Sequence, residues 1–202
     1  MKGLEKLTSI RLAEILSEKG LVTGDAITDA LYQQDASGDS VTEILVASGK
    51  ITEWDLAKVV AETFQLPFLM ASNYDIAPPA KKALPEDELF GNLLVPLDMF
   101  DNILTVAMPI LTFAETVDRL QRKHNVEFFP YVGLPSENKK ILTELFPHYP
   151  EWVKKQEAER ERRKRAGVSG KGGAGKGAMD SGWMNIFDSA DAKVREATPK
   201  KK

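Results

Sequence analysis

The chain has 202 residues, and 43% of them are hydrophobic, so it can build one or two packed domains. It contains no cysteine, which excludes disulfides, thiol nucleophiles and thiolate metal sites. The net charge of −3 is small, and no apolar run approaches the roughly 20 residues that span a bilayer. We therefore expect a cytoplasmic protein without a transmembrane segment.

The first part of the chain, residues 1–65, predicts four short helices arranged as two similar hairpins. Apolar residues recur at helical spacing before and after Gly20, and the same pattern returns around Gly49. Glycine favours the left-handed conformation that ends a helix, so each hairpin is expected to turn at its glycine. Both helices of the second hairpin begin with capping-box spacing: Ser40 with Glu43, and Thr52 with Asp55.

Residues 66–148 change in character and predict a small α+β subdomain. The predicted elements, in chain order, are an extended stretch at 65–69, strands at 93–97 and 103–108 joined by a turn at Asp101 and Asn102, a helix at 112–123, a strand at 126–132 and a helix at 136–146 behind Ser136. The expected fold class is α+β: an N-terminal bundle of short helical hairpins in tandem repeat, a small α/β sandwich-like subdomain, and a disordered C-terminal tail.

Beyond residue 148 the pattern of apolar positions ends. Residues 149–166 are rich in charge and predict a solvated helix or a linker, and residues 167–202 predict a flexible tail rich in glycine and lysine. The charge follows a similar division: residues 1–150 hold 13 Lys and Arg against 22 Asp and Glu, whereas residues 151–202 hold 14 against 8. The sequence therefore predicts an acidic body that carries a basic tail.

One apolar motif interrupts this tail. Trp183, Ile186 and Phe187 are spaced so that a helix would place all three on one face. Exposed aromatic residues gain nothing in solution, and such residues anchor short helices in the grooves of partners. We expect this motif to bind a protein partner, with folding back onto the same chain as the alternative.

No pattern in the sequence indicates catalysis or a metal site, and we expect the chain not to be an enzyme. The segment 170–176, GKGGAGK, has phosphate-loop spacing but lacks the Ser or Thr, the preceding strand and the following helix of that motif. His124 and His148 have no sequence pattern of a ligand or base and are predicted at the surface. The acidic run at 86–88 fits a helix start. The basic run at 160–165 predicts a solvated helix rather than a nucleic-acid site.

The duplicated hairpins carry the most specific signal. The first copy contains Arg11, Leu12, Leu16, Gly20, Val22, Ile27, Ala30, Leu31 and Gln34; after the spacer DASGD the second contains Val41, Leu45, Gly49, Ile51, Leu56 and Val60. This pattern resembles the MshEN domain, the N-terminal domain of type II secretion and type IV pilus assembly ATPases. The resemblance covers about residues 8–146, so the chain is expected to be a stand-alone relative without the ATPase.

The resemblance implies that the paired motifs bind the bacterial second messenger cyclic di-GMP. On that basis Arg11 would contact a phosphate or a guanine, and Gln34 a guanine edge. The other candidate contacts are apolar residues and turn glycines of the motifs: Leu12, Gly20, Leu31, Val41, Gly49 and Leu56.

Three departures from the family pattern bear on this ligand. Ala13 and Thr42 replace the glycines of the two motifs, and Thr63 replaces the second glutamine. Two functions follow as alternatives. The chain is a regulatory or adaptor protein of a secretion, pilus or motility machine that senses cyclic di-GMP, or it is a ligand-free scaffold that docks partners through its body and its C-terminal apolar peptide.

Overall fold

Residues 8–37 and 39–167 are described by the computed structural model. The described elements, in chain order, are α1 (Ser9–Glu18), α2 (Gly24–Ser37), α3 (Val41–Ala47), α4 (Glu53–Phe64), short 3-10 helices at Ala71–Asn73 and Ala80–Lys82, α5 (Glu86–Gly91), β1 (Val95–Phe100), β2 (Ile103–Met108), α6 (Ala114–His124), β3 (Glu127–Val132), α7 (Pro135–Leu145) and α8 (Tyr149–Gly167). The predicted α+β class is confirmed. The segment 170–176 and the motif of Trp183, Ile186 and Phe187 lie outside the described residues.

Each helical hairpin turns at a glycine with a positive φ angle. Gly20 has φ +65° and Gly49 has φ +67°, as the sequence predicts. The Gly20 amide donates to the Ser17 carbonyl and the Gly49 amide to the Val46 carbonyl, both at 2.9 Å. Any other L-residue would be strained at these two positions.

The N-terminal caps of the second hairpin form at the predicted residues. Ser40 Oγ accepts from the Glu43 amide at 3.2 Å, and the Glu43 carboxylate accepts from the Ser40 amide at 3.3 Å, which completes a capping box. Thr52 Oγ1 accepts from the Asp55 amide at 3.1 Å and donates to the Asp55 carboxylate at 2.6 Å. These bonds satisfy amides that the helix itself leaves without partners.

The hairpins share one hydrophobic core with the rest of the described body. Helix α2 packs against α1 and α3. Their largest fully buried side chains are leucines at helical spacing: Leu12, Leu16, Leu45 and Leu56. Burying a leucine side chain stabilises the fold by about 1.5–3 kcal/mol, so this packing holds the short helices together.

The sheet has three strands in the order β1-β2-β3. Strands β1 and β2 are antiparallel and joined by the predicted turn, in which Asp101 has φ 51°. Strands β2 and β3 are parallel, with α6 as the crossover. The predicted start of β1 at residue 93 is wrong by two residues, because Leu93 has φ 52° and cannot continue a strand. Pro96 lies in the edge strand β1, where its missing amide costs no sheet hydrogen bond.

The stretch at 65–69 is extended only in part. Gln65 has φ 54° and ends α4, whereas Phe68 forms a parallel bridge with Val132. The Val132 amide donates to the Pro67 carbonyl at 2.7 Å, and the Leu69 amide donates to the Val132 carbonyl at 3.0 Å. The stretch therefore extends the sheet beyond β3.

The start of α7 differs from the prediction. The helix begins at Pro135 with Leu134 as its N-cap residue, so Ser136 lies in its first turn. The Ser136 amide and hydroxyl donate to the Glu53 carboxylate at 3.3 and 2.5 Å. A residue of α4 thus supplies the acceptor that this helix start needs, and this bond links the second hairpin to α7.

Helix α8 begins inside an aromatic cluster. The Phe90 ring lies 4.9 Å from Tyr149 and 5.5 Å from Trp152. It also lies 5.3 Å from Phe146, and Trp152 Nε1 donates to Asp87 at 2.8 Å. The chain divides into the units Met1–Lys155 and Gln156–Lys202, and these aromatic residues belong to the first. The domain boundary at residue 148 stays a prediction.

The acidic run at 86–88 forms the first turn of α5, as predicted. Glu88 is its most strongly bound member: Arg119 contacts both carboxylate oxygens at 3.2 and 3.3 Å, and Lys123 lies 2.7 Å away. His124 Nε2 lies 3.9 Å from the same carboxylate, is buried, and has no hydrogen-bond partner among the described residues. The sequence predicts both histidines at the surface. This prediction is wrong for His124, whose side chain is 16% exposed, and right for His148, whose side chain is 52% exposed.

Glu88 is expected to contribute stability that acid removes. Its hydrogen bonds with Arg119 and then Lys123 lower the pKa of Glu88 from 4.5 to about 2. Since the folded-state pKa lies below the unfolded value, the contribution is present above pH 4.5 and is lost as the pH falls toward 2. We expect Glu88→Gln to flatten the loss of stability in this window, as measured by urea unfolding. Glu115→Gln, an exposed change on α6, should leave the acid limb unaltered.

Candidate ligand-binding site

Arg11 is the exposed cation of the first hairpin. The Thr8 hydroxyl accepts from the Arg11 amide at 3.1 Å and thereby fixes the start of α1. The Arg11 side chain is 51% exposed, and its Nη1 lies 2.8 Å from the Glu14 carboxylate. This hydrogen bond raises the pKa of Arg11 above its ordinary value. Arg11 is therefore accessible and charged, and a ligand anion must compete with Glu14 for it.

Leu31 and Gln34 lie three residues apart on α2 and so share a face of that helix. Both are half-buried. Gln34 is near the end of α2 and Arg11 is near the start of α1, so each lies at the helix end that is distant along the chain from the Gly20 turn. The first hairpin thus contains an accessible cation, an amide and an apolar side chain.

Three of the predicted apolar contacts are core residues. Leu12, Val41 and Leu56 are each 0% exposed. In this structure the three residues pack within the body, backbone and side chain alike, so a ligand cannot reach them. Their role as ligand contacts stays a prediction that requires the local packing to open.

The positions of the replaced motif glycines also face the core. Ala13 and Thr42 are buried, and the Thr42 hydroxyl lies 2.9 Å from Ser40 Oγ. Neither side chain projects from an exposed surface. These two replacements therefore act on helix packing in this structure rather than as an obstruction at the surface.

The backbone of both turns is open. No atom lies within 4 Å of the position that a Cβ would occupy at Gly20 or at Gly49. The residues that follow differ, because exposed Leu21 is apolar and exposed Lys50 is cationic. The two turns therefore offer similar backbone geometry but different chemistry.

Two exposed aromatic residues of the hairpins are not among the site residues predicted from the sequence. Tyr32 on α2 is 74% exposed, and Trp54 at the start of α4 is 55% exposed and lies 5.3 Å from the Phe68 ring. Exposed aromatic faces are platforms on which nucleobases stack. The sequence feature that could have indicated them is an aromatic residue on a helix face that is otherwise polar.

Residues 64–150 match the MshEN domain. Two solved structures share the fold: MshE with cdg, at TM-score 0.56 and 19% identity, covers 67% of this chain and 98% of that one. The N-terminal domain of XpsE, at TM-score 0.54 and 24% identity, covers 66% of this chain and 92% of that one. Each of these structures aligns with about two thirds of this chain, whereas residues 64–150 are less than half of it. The likeness in fold therefore extends beyond the residues that match the MshEN domain.

The similar curated proteins are longer ATPases. The type IV pilus assembly ATPase PilB of Thermus thermophilus is 28% identical over 145 residues, which are 70% of this chain and 16% of that protein. PilB of Myxococcus xanthus is 26% identical over 119 residues, 58% of this chain and 21% of that protein. The chain thus spans about a fifth or less of the length of these relatives.

The described part of the chain has neither a group of metal-binding side chains nor a membrane-spanning helix. Within residues 8–37 and 39–167, no three His, Cys, Asp or Glu side chains are grouped so that they could hold a metal ion. In the same residues no helix is both long and apolar enough to cross a membrane.

Proposed function

We propose that this chain is a non-enzymatic regulatory or adaptor protein of a secretion, pilus or motility machine, and that its first helical hairpin binds cyclic di-GMP. The observation that carries the proposal is that the first hairpin presents exposed Arg11 together with half-buried Leu31 and Gln34. The likeness in fold to MshE, whose structure contains cdg, supports the choice of ligand.

The chemistry of these residues fits a cyclic dinucleotide. Its phosphates need a cation, which Arg11 supplies, and guanidinium groups match phosphate oxygens geometrically. Its guanine edges need donors and acceptors, which the Gln34 amide carries together. Its guanine faces need flat or apolar contacts, for which Leu31 and the neighbouring exposed Tyr32 are suited.

The two hairpins are unequal as ligand sites. The position of Arg11 in the first copy is occupied by Ser40 in the second, and that of Gln34 by exposed Thr63. The Ser40 hydroxyl is engaged in the capping box. The second hairpin therefore lacks both polar contacts, and we expect the first to supply most of the binding free energy.

The proposal predicts how binding changes when single side chains are altered. Arg11→Ala should weaken cyclic di-GMP binding by about ten- to a hundredfold, because it removes a charge-assisted hydrogen bond worth about 1.5–3 kcal/mol. Gln34→Ala should weaken it by about two- to tenfold, because a hydrogen bond between neutral groups is worth about 0.5–1.5 kcal/mol. Glu14→Gln should tighten binding, since it removes the carboxylate that competes for Arg11. Isothermal titration calorimetry with purified full-length chain measures all three.

Two variants serve as controls in this titration. Arg122→Ala removes an exposed arginine from α6, far along the chain from the hairpins, and should leave binding unchanged. Thr63→Ala tests the second copy and should have little effect. Equal losses from Arg11→Ala and Arg122→Ala would show a nonspecific charge effect and contradict the proposed site.

One observation favours the second candidate function, a ligand-free scaffold. Leu12, Val41 and Leu56, which would be ligand contacts, are wholly committed to packing. Absence of any heat with cyclic di-GMP, together with thermal stability that the nucleotide does not change, would favour the scaffold.

A further inference from the structure

One face of the sheet is open at the end that carries the β1–β2 turn. Phe100 pairs with Ile103, and Thr105 pairs with Phe129. Paired residues share a face, and so do residues two apart on one strand. Phe100, Ile103 and Phe129 therefore lie together, and they are 74%, 39% and 46% exposed. With Tyr131, whose ring meets that of Phe129 edge-on at 5.6 Å, they form what we call the sheet-end patch.

The opposite face of the same strands shows that this exposure is specific to one side. Leu104, Val106 and Phe128 alternate with the patch residues and are 0%, 0% and 5% exposed. The strands are thus well packed on their inner face. On the outer face, Tyr131 packs partly against the core, whereas the rings of Phe100 and Phe129 and the Ile103 side chain stay exposed, so these three call for a contact that the described residues do not provide.

Carboxylates surround the sheet-end patch. Asp98 pairs with Thr105 and Glu127 pairs with Ile103, so both lie on the patch face, and Asp101 is in the adjoining turn. Asp98 accepts hydrogen bonds from the Met99 amide at 2.8 Å and from the Tyr74 hydroxyl at 3.5 Å. Among the described residues, no Lys or Arg forms an ion pair with any of these three carboxylates.

This distribution of charge limits what can cover the patch. Two copies placed face to face would bring Asp98, Asp101 and Glu127 of each against those of the other, and like charges in an interface cost free energy. An anionic lipid surface is disfavoured for the same reason. A cationic partner is favoured, and the 22 Asp and Glu against 13 Lys and Arg in residues 1–150 attract it over a longer range.

We propose that the sheet-end patch docks a segment of a partner protein in which an apolar anchor is flanked by Lys or Arg residues. The anchor packs on Phe100, Ile103 and Phe129, and the flanking cations meet the carboxylates of Asp101 and Glu127. This inference rests on the adaptor part of the proposed function and is independent of the nucleotide site.

The test uses two short synthetic peptides with blocked ends and a fluorescent label. One has the sequence Lys-Lys-Trp-Leu-Leu-Lys-Lys, and its twin carries Glu at each Lys position. Fluorescence anisotropy with the full-length chain should show binding of the lysine peptide and none of its twin. Phe100→Ser/Phe129→Ser should weaken binding by about tenfold or more, since the two side chains supply most of the exposed apolar contact.

A charge-matched pair of variants separates the patch from general attraction. Asp101→Asn/Glu127→Gln should weaken the lysine peptide by about tenfold, and asparagine tolerates the positive φ at position 101. Glu62→Gln/Glu144→Gln removes two exposed carboxylates elsewhere and should leave binding unchanged. Circular dichroism confirms that each variant is folded.

Three outcomes would overturn the inference. The first is that the lysine peptide does not bind, and the second is that Glu62→Gln/Glu144→Gln weakens the peptide as much as Asp101→Asn/Glu127→Gln does. The third is that the intact chain self-associates and Phe100→Ser/Phe129→Ser abolishes this, which would show that a second copy covers the patch. Cyclic di-GMP titration of the same variants distinguishes this failure from that of the nucleotide site. The patch variants should keep nucleotide binding, and Arg11→Ala should keep peptide binding.

Discussion

Phe90→Ala is expected to lower the free energy of unfolding by about 3–5 kcal/mol, the range measured for aromatic deletions in packed cores. Phe90 is 3% exposed, and four rings surround it: Phe146, His148, Tyr149 and Trp152, at 4.9 to 5.6 Å. Removing the ring leaves a cavity whose walls come from α5, from the segment between α7 and α8, and from the start of α8. Urea unfolding followed by tryptophan fluorescence measures the change.

The control for this experiment is Phe100→Ala, which removes the same side chain from a position that is 74% exposed. Its effect should stay within about 0.5 kcal/mol, as is usual for surface substitutions. A loss as large as that of Phe90→Ala would show that the Phe90 cluster has no special role.

The same cluster predicts where the folded body can be cut. A chain ending at residue 155 keeps Tyr149 and Trp152, whereas one ending at residue 148 loses both rings and the bond from Trp152 Nε1 to Asp87. The shorter chain is therefore expected to fold with a lower melting temperature than the longer one. Equal melting temperatures would support the sequence-based boundary at residue 148.

Local features of this fold could be predicted from the sequence because short-range chemistry decides them. The glycine turns at Gly20 and Gly49, the capping box at Ser40 and the turn at Asp101 all depend on residues within a few positions of one another. The predictions that failed concern partners far apart in the chain. The acceptor for Ser136 comes from Glu53, and the carboxylate beside His124 comes from Glu88.

The candidate site shows the same limit. The motif pattern marked Leu12, Val41 and Leu56 as strongly as it marked Arg11 and Gln34, but helical spacing does not say whether an apolar residue faces a ligand or the core. Burial depends on how the helices pack against one another, and this packing buries the three side chains in the core. The sheet-end patch was hidden for a related reason, because alternation predicts two faces without saying which remains uncovered.

The sequence pattern does not predict the buried environment of Asn138. It is 0% exposed on α7, and its Nδ2 donates to the Leu93 carbonyl at 2.9 Å and to the Ala107 carbonyl at 3.3 Å. Its Oδ1 has no hydrogen-bond partner among the described residues. One amide thus ties α7 to the chain preceding β1 and to β2. Asn138→Ala should cost about 1–3 kcal/mol, since buried carbonyls lose their donor.

Gly133→Ala is expected to destabilise the fold by about 1–3 kcal/mol, because a Cβ there would lie 2.8 Å from Asn138 Oδ1 and 3.3 Å from the Met108 carbonyl oxygen. Gly133 has no positive φ, so the strain comes from the contact and not from the backbone. In an Asn138→Ala background the closest atom is gone, and the added methyl should cost much less. Urea unfolding of both single variants and the double variant gives the coupling energy, expected between about 0.5 and 3 kcal/mol. Gly91→Ala is the control, since its nearest neighbour is Trp152 at 4.0 Å. Additive effects of Gly133→Ala and Asn138→Ala would contradict the direct contact and leave the close approach of α7 to the β3 end unexplained.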